Sequence, residues 1–356
     1  MSVTIMTHPA RSAMAGNLVG LLGGDITVVV DPDPGGAPNP LRTSVEAWAA
    51  CEEGSTHHLV LQDDVVPSAD LLSVARSAAV RFPRSAVAFY TNWDGPDGAA
   101  VRLGAMAGAG WVSAIDEIYT PTLALMLPVD HAARFSEEAR SLVSTRPEDD
   151  AVMLDYLQRH QVPVLLSIPN LIEHQGTESI AGNSAERWRS ACSYGISDRP
   201  GSDVLTGLNA VPLYREGAAY VLVLEKESAD RRVWQRKPWR HAEDALGLDT
   251  ARVDSSWDEW SRSDPAARHV AGLIGLSAAR ELWAVAYLLG VASERLRPHG
   301  WTPVSHIRSA ALNTLGVGGL IPVVQWHKLH EARPLMHHLA MAGADHGASA
   351  AADAPV

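Results

Sequence analysis

The residues of this chain that could do chemistry are mostly carboxylates, and they fall in two tight groups. His58-Leu59-Val60-Leu61 is a short apolar run that ends in Gln62-Asp63-Asp64-Val65-Val66-Pro67, with two adjacent acids where the chain must turn. A strand that delivers acids to its carboxyl end is how an open α/β sheet presents ligands to a divalent cation and a phosphorylated substrate. The same pair could equally serve a turn and cap a helix. The second group is Glu148-Asp149-Asp150, which follows Pro147 and opens a helical run. Acids in a first helical turn complement the helix dipole, but three in a row exceed what capping needs. His174 lies in the loop Pro169-Asn170-Leu171-Ile172-Glu173-His174-Gln175-Gly176. A lone loop histidine is more often solvated or hydrogen-bonded than metal-bound, so its interest lies in its place in the order of features.

The elements that must position these groups alternate in type. Short β-branched runs predict strands at 3–6, 26–30, 58–61, 86–90, 122–127 and 162–168. Helical patterns fall between them, at 10–22, 69–81 with Ser68 as cap, 136–142 and 151–160. Thr43-Ser44-Val45-Glu46 has the spacing of a capping box and predicts a helix from there through residue 51. Alternation of this kind is the signature of an α/β fold, a largely parallel sheet covered by helices.

Composition narrows the partners. At 356 residues, 46% hydrophobic and 20% charged, the chain has the make-up of a globular protein with a sizeable core. Its net charge of −12 argues against nucleic acid, because neutralising phosphates takes clustered Lys and Arg. Cys51 and Cys192 have no neighbour at the spacing of a zinc or redox motif and are expected to be reduced thiols. The start, Met1-Ser2-Val3-Thr4-Ile5-Met6-Thr7, lacks a basic region followed by an apolar one, so no secretory signal is expected. Arg280 and Glu281 interrupt the apolar stretch 269–292, which predicts a buried helix rather than a membrane span. The expected location is cytoplasmic.

The second half is less explicit. Residues 218–225 predict an edge strand, and 226–240 place Lys226, Arg231, Arg232, Arg236, Lys237 and Arg240 among Trp234 and Trp239. Such a stretch could face an anionic acceptor, but the favoured reading is a solvated connection. Trp257 and Trp260 lie in a polar segment, 254–263, read as a linker whose aromatics dock on a neighbouring surface. Helical periodicity dominates 267–339, and His327 and His330 sit three apart on one face without an acidic partner, which favours a surface helix. The Ala-, Gly- and Asp-rich end, 341–356, predicts a disordered tail.

Taken in order, the first strand and its loop, the acidic motif after the third strand, the acidic helix start and the loop histidine resemble the GT-A fold glycosyltransferases, which transfer sugars from nucleotide-sugar donors. The segment 59–67 and the loop at His174 look most like bacterial members of the lipopolysaccharide-synthesis type. The resemblance covers about residues 1–195 and implies a GT-A-like, Rossmann-like mixed sheet with an α-helical carboxyl-terminal extension. It implies that Thr7, His8, Pro9 and Arg11 hold nucleoside and ribose, that Asp31 reads the base, and that Arg42 reaches the diphosphate. Gln62, Asp63 and Asp64 match the Asp-x-Asp metal motif, with Asp64 as the direct ligand of Mn²⁺ or Mg²⁺ and His174 completing the shell. Gln62 departs from the acid usual at that position, which puts metal affinity in doubt. Glu148, Asp149 and Asp150 match the acidic motif where inverting members place the general base, Asp149 first and Asp150 second. The metal would neutralise the leaving diphosphate, and a carboxylate would take the proton of the attacking hydroxyl.

These implications give an expected function: transfer of a sugar from a nucleotide sugar, UDP-sugar favoured, to an acceptor hydroxyl. Trp93 and Trp111 could stack on an acceptor but read more simply as core, and Asp116 and Glu117 are reserve bases. Two alternatives stand beside this reading. A nucleotidyltransferase would need a glycine-rich phosphate loop, which Thr7-His8-Pro9-Ala10-Arg11 lacks. A non-catalytic nucleotide-sugar-binding protein of the same fold is favoured by Gln62. The expected organisation is a catalytic domain over 1–200, a connecting segment over 201–266, a helical extension over 267–340 and the tail. The extension would shape the acceptor site or form a homodimer interface.

Overall fold

The computed structural model describes residues 1–115, 119–175, 189–196, 201, 203–227, 232–321 and 323–352. Asp116, Glu117, Gly176, Arg231 and the last four residues of the expected tail lie outside them. The chain forms two compact units, one of Met1–Tyr90 with Asp116–Ala191, the other of Thr91–Ile115 with Cys192–Val356. Residues 91–115, expected within the catalytic domain, therefore group with the carboxyl-terminal half.

In chain order the strands are β1 (Ser2–Thr7), β2 (Thr27–Val30), β3 (His57–Gln62), β4 (Val65–Pro67), β5 (Ala86–Ala88), β6 (Trp111–Ser113), β7 (Ala124–Pro128), β8 (Val164–Ser167), β9 (Ile172–His174), β10 (Val204–Leu205), β11 (Ala210–Arg215), β12 (Ala218–Glu227) and β13 (Arg232–Pro238). The sheet of the first unit runs β8-β5-β7-β3-β1-β2. β1 is parallel to β2 and β3, and β5 to β8, whereas β7 is antiparallel to both β3 and β5. The fold is thus α/β with a mixed sheet, and β7 is the departure from the largely parallel expectation.

Burial explains the strand sequences. β1 is buried along its whole length, and β3 is buried up to Gln62, as suits central strands covered on both faces. β2 is the edge, and its Val28 and Val30 are exposed. His58 is fully buried in β3 and is kept neutral by its partners: its Nε2 donates to Ala47 O at 2.9 Å, so Nδ1 accepts from the Ser2 hydroxyl at 2.8 Å. Burial holds its pKa below the ordinary histidine value. Trp48 packs edge-on against both His58 and Phe135, and Phe135 against Tyr156, which anchors three helices to the sheet.

The helices differ from the sequence reading at their ends. The expected capping box at Thr43 is not used: the helix runs Pro40–Ala49, and Asn39 caps it by accepting from Arg42 N at 2.9 Å. Pro40 supplies a φ ready for the first helical position, while Thr43 and Ser44 turn into the core. Ser68 likewise does not cap; it donates to Asp70 at 2.7 Å, and the helix is Leu71–Arg81. The helix expected at 136–142 begins earlier, as Val129–Arg140, directly after β7.

Two features place the acids. The chain leaves β1 for β2 on one side and reaches β3 on the other, so the carboxyl ends of β1 and β3 flank a topological switch point, where open α/β sheets bind ligands. Just beyond, β4 pairs antiparallel with β9, with Val65 opposite His174. His174 is therefore in a short ladder rather than a free loop.

The second unit is built differently. β6 pairs with β10 in parallel, and β11-β12-β13 form an antiparallel sheet, so 201–266 is not a mere connection. Three of its basic residues are partnered: Arg236 lies over Tyr220, Lys237 pairs with Glu225 at 3.0 Å, and Arg240 stacks on Trp239 and pairs with Asp254. Trp257 and Trp260 belong to the helix Thr250–Ser263 and dock on Trp283 of the helix Leu276–Leu296. Trp93 and Trp111 are buried, so their faces are covered.

The expected disordered tail is instead the end of a long helix, Trp326–Ala352. A Cβ on Gly347 would lie 2.0 Å from Tyr287 O, and one on Gly290 2.2 Å from Ala344 O. Only small residues let the two backbones approach this closely, so the alanine- and glycine-rich composition is a packing surface. His327 and His330 lie exposed on the first turns of this helix, as expected. No single helix among the described residues is long and apolar enough to cross a membrane.

Candidate active site

Thr7 ends β1, and its hydroxyl donates to Asp63 Oδ2 at 2.6 Å. The next residues turn into a short 3₁₀ segment, Pro9–Arg11, capped by His8, whose Nδ1 accepts from Ala10 N. That turn aims Arg11 back at the acids. Its Nη1 lies 2.8 Å from Asp64 Oδ2 and 3.2 Å from Asp63 Oδ1, so one guanidinium nitrogen bridges both carboxylates. Burial lowers the Arg11 pKa, but Asp64 and then Asp63 outweigh it, and the net shift is upward. Burial raises the pKa of Asp63 more than Thr7 and Arg11 lower it.

His174 Nε2 stands 3.6 Å from Asp64 Oδ2, beyond hydrogen-bond length. Burial holds its pKa below the ordinary value despite Asp64, so the ring is neutral at pH 7. The ladder between β4 and β9 sets this distance, together with a bond from Gln175 N to Asp64 O.

Asp31 and Arg42 form a separate pair. Arg42 Nε and Nη2 reach the two Asp31 oxygens at 2.7 and 2.8 Å, and Nη2 also donates to Asp33 O. The bidentate fork lowers the Asp31 pKa. The residue expected to reach a diphosphate thus shapes the loop after β2, and the residue expected to read a base has both oxygens taken. His8 Nε2 ties the same loop to β1 by donating to Pro34 O at 3.3 Å. Pro9 is exposed.

The second acidic group comes to the same sheet edge through a residue the sequence did not signal. Gln62 Nε2 donates to Thr122 Oγ1 at 3.4 Å, and Thr122 hydrogen-bonds Asp149. Asp149 opens the helix Asp149–Arg159, is buried, and keeps one oxygen, Oδ2, without a hydrogen-bond partner. Burial, reinforced by Asp150, pushes its pKa up to about 7. Asp150 is raised as well, by burial first, against the bond it accepts from Ala151 N and the charge of Arg189. Glu148 is exposed and its side chain caps nothing.

Arg189 is the other residue that motif reading missed. Glu173 accepts from Ser190 Oγ and from Ala191 N, both at 2.7 Å, which lashes this segment to β9. The charge of Arg189 consequently acts on both Asp150 and His174. No spacing rule links residue 189 to residue 150, so only the fold reveals it.

The residues do not fit a divalent ion as they are placed. Mg²⁺ or Mn²⁺ wants several open oxygens in near-octahedral array. Here Asp63 Oδ1 and Asp64 Oδ2 share Arg11, Asp63 Oδ2 is held by Thr7, and Asp64 Oδ1 is sealed from solvent. The amide of Gln62 turns to Thr122 instead. Among the described residues no group of three or more His, Cys, Asp and Glu could hold a metal ion.

No family model matches this chain, and no curated protein matches it.

Proposed function

We propose that the first unit is the donor-binding and catalytic part of a glycosyltransferase that uses a nucleoside-diphosphate sugar. The observation that carries this is Asp149, a buried carboxyl with a pKa of about 7 and one unpartnered oxygen. Thr122 and Gln62 join it to the carboxyl end of β3, beside the switch point. A base is most effective when its pKa lies near the working pH.

In this reading the acceptor hydroxyl attacks the anomeric carbon and gives its proton to the Asp149 carboxyl, whose Oδ2 is buried in the free chain and has to be uncovered when the acceptor binds. The bond from that carbon to the diphosphate breaks, and the electron pair leaves with the phosphate oxygen. Arg189 offers the guanidinium that faces the developing charge, and the neutral His174 ring offers a further hydrogen bond. No step passes through a metal ion.

Thermal unfolding of the purified chain with UDP, GDP, dTDP and CDP tests the donor site, because a ligand that binds only the folded state raises the midpoint. One nucleotide should raise it, and Asp149→Asn should keep that rise while losing sugar transfer. Failure of all four nucleotides would sink the reading. The second reading, a non-catalytic binder, is favoured by the engagement of both Asp63 and Asp64 by Arg11; it requires the same midpoint rise with no transfer to any acceptor. The nucleotidyltransferase alternative gains nothing, since residues 9–11 form a 3₁₀ turn and not a glycine-lined phosphate loop.

A further inference from the structure

We infer that Arg11 is the resident cation of the Asp63–Asp64 pair and that this pair does not take up a divalent metal ion. The inference rests on geometry alone and not on the transferase reading.

Four carboxylate oxygens are at issue. Two of them, Asp63 Oδ1 and Asp64 Oδ2, converge on Arg11 Nη1 at 3.2 and 2.8 Å. That convergence is the position a bridging cation would occupy. Asp63 Oδ2 accepts from Thr7 Oγ1 at 2.6 Å and more weakly from His8 N at 3.4 Å. Asp64 Oδ1 is buried and faces no hydrogen donor. An incoming ion would have to expel Arg11 and then share the site with it, because the 3₁₀ turn Pro9–Arg11 and its His8 cap hold the side chain over the acids. Arg11 is itself only slightly exposed, 13% for its side chain, so it has little room to swing into solvent. A guanidinium is also always charged, whatever the pH, so the occupancy is permanent.

The neighbours support the same assignment. An acid in place of Gln62 would add a third carboxylate and overbalance a single guanidinium; the amide instead donates to Thr122 and adds no charge. The charges of Asp63, Asp64 and Arg11 leave one net negative charge.

The test is electron paramagnetic resonance of Mn²⁺ added to the full chain after dialysis against EDTA, since bound Mn²⁺ loses the sharp signal of the free ion. Wild type should leave that signal undiminished, and Asp64→Asn should match it. Arg11→Met, which keeps the length and removes the charge, should bind about one Mn²⁺ per chain, and the double variant with Asp64→Asn should bind none. Uptake by wild type that is lost in Asp64→Asn would overturn the inference, as would a folded Arg11→Met that binds no Mn²⁺. Uptake unchanged in Asp64→Asn belongs elsewhere on the chain and supports it. Should Arg11→Met fail to fold, the wild-type and Asp64→Asn titrations decide the matter by themselves. Nucleotide-induced stabilisation is a separate readout, so either idea can fail without the other.

Discussion

In the first unit two buried carboxylate oxygens, Asp64 Oδ1 and Asp149 Oδ2, have no hydrogen-bond partner; in the second Asn92 Oδ1, Trp234 Nε1 and Arg297 Nε have none, while the buried guanidinium of Arg102 donates to Ala311 O at 3.1 Å and to Thr314 Oγ1 at 3.0 Å. Thr314 in turn donates to Cys192 O, and the Cys192 thiol to Gly98 O, so that polar group sits in a closed network. Around it the second unit is held by apolar contact, a cluster of Trp257, Trp260 and Trp283 and a helix pair whose glycines admit close backbones. Buried polar atoms normally find partners, and an unpaired one costs stability. Locally unfavourable choices concentrate where a sequence is selected for something other than stability. The difference between the units is one of kind: the unpaired atoms of the first include carboxylate oxygens, the groups on which the proposed transferase reading rests, whereas those named in the second are an amide oxygen and N–H donors.

The sharpest way to break that contrast is to truncate one side chain from each kind of region. Trp283 is fully buried, stacks on Trp260 with ring centroids 4.9 Å apart, and donates to Ser256 Oγ at 2.9 Å. Trp283→Ala removes the ring and the donor to Ser256 Oγ, and it should cost about 3–5 kcal/mol of stability. Urea unfolding followed by far-UV circular dichroism measures it. A cost below about 1 kcal/mol would mean that the aromatic cluster is not what holds the helices.

Asp149→Asn should act in the opposite direction. With its pKa raised from 3.8 to about 7, the folded chain binds a proton there more tightly than the unfolded chain does. The stability this confers is complete below pH 3.8 and is lost progressively as pH rises to about 7. The variant escapes that loss, so its advantage over wild type should be absent near pH 4 and full at pH 8, with a ceiling of roughly 4 kcal/mol. Transfer activity should fall at least about 100-fold, the size expected for loss of a general base. Wild-type activity should rise with pH through about 7 as the carboxyl ionises. A variant that is less stable than wild type at pH 8 would show that Asp149 is a structural partner, and the contrast between the units would fail.

How much of this was legible in the sequence follows the same division. The acids after the third strand, the acidic helix start and His174 are each encoded by local pattern, and the fold brings them to one edge as their order suggests. Thr122 and Arg189 carry no motif, because their roles come from pairing across the sheet and from the lashing of residues 190 and 191 to Glu173. Arg11 stood out in the sequence as a site candidate, but not that both acids would fall on one of its nitrogens, which depends on the 3₁₀ turn. In the second unit composition misled: alanine and glycine at the end read as disorder, while their small size is what a tight helix pair requires.

The smallest effect addresses the link between local sequence and the acidic edge. Thr43-Ser44-Val45-Glu46 has the spacing of a capping box, yet Asn39 does the capping, accepting from Arg42 N and donating to Val143 O at 2.7 Å. Asn39→Ala should cost about 1 kcal/mol, typical of a lost cap, while Thr43→Val should cost little through capping because its hydroxyl is not used that way. The chain of contacts goes further, since Arg42 follows Asn39 in the same first turn and grips Asp31 in the loop after β2. Fraying that turn should loosen the Arg42 fork, so Asn39→Ala should weaken nucleotide-induced stabilisation severalfold more than its small cost to the fold would suggest. If the nucleotide effect is untouched while stability drops, the loop held by Arg42 plays no part in the site, and the functional edge is confined to β1, β3 and the helix that begins at Asp149.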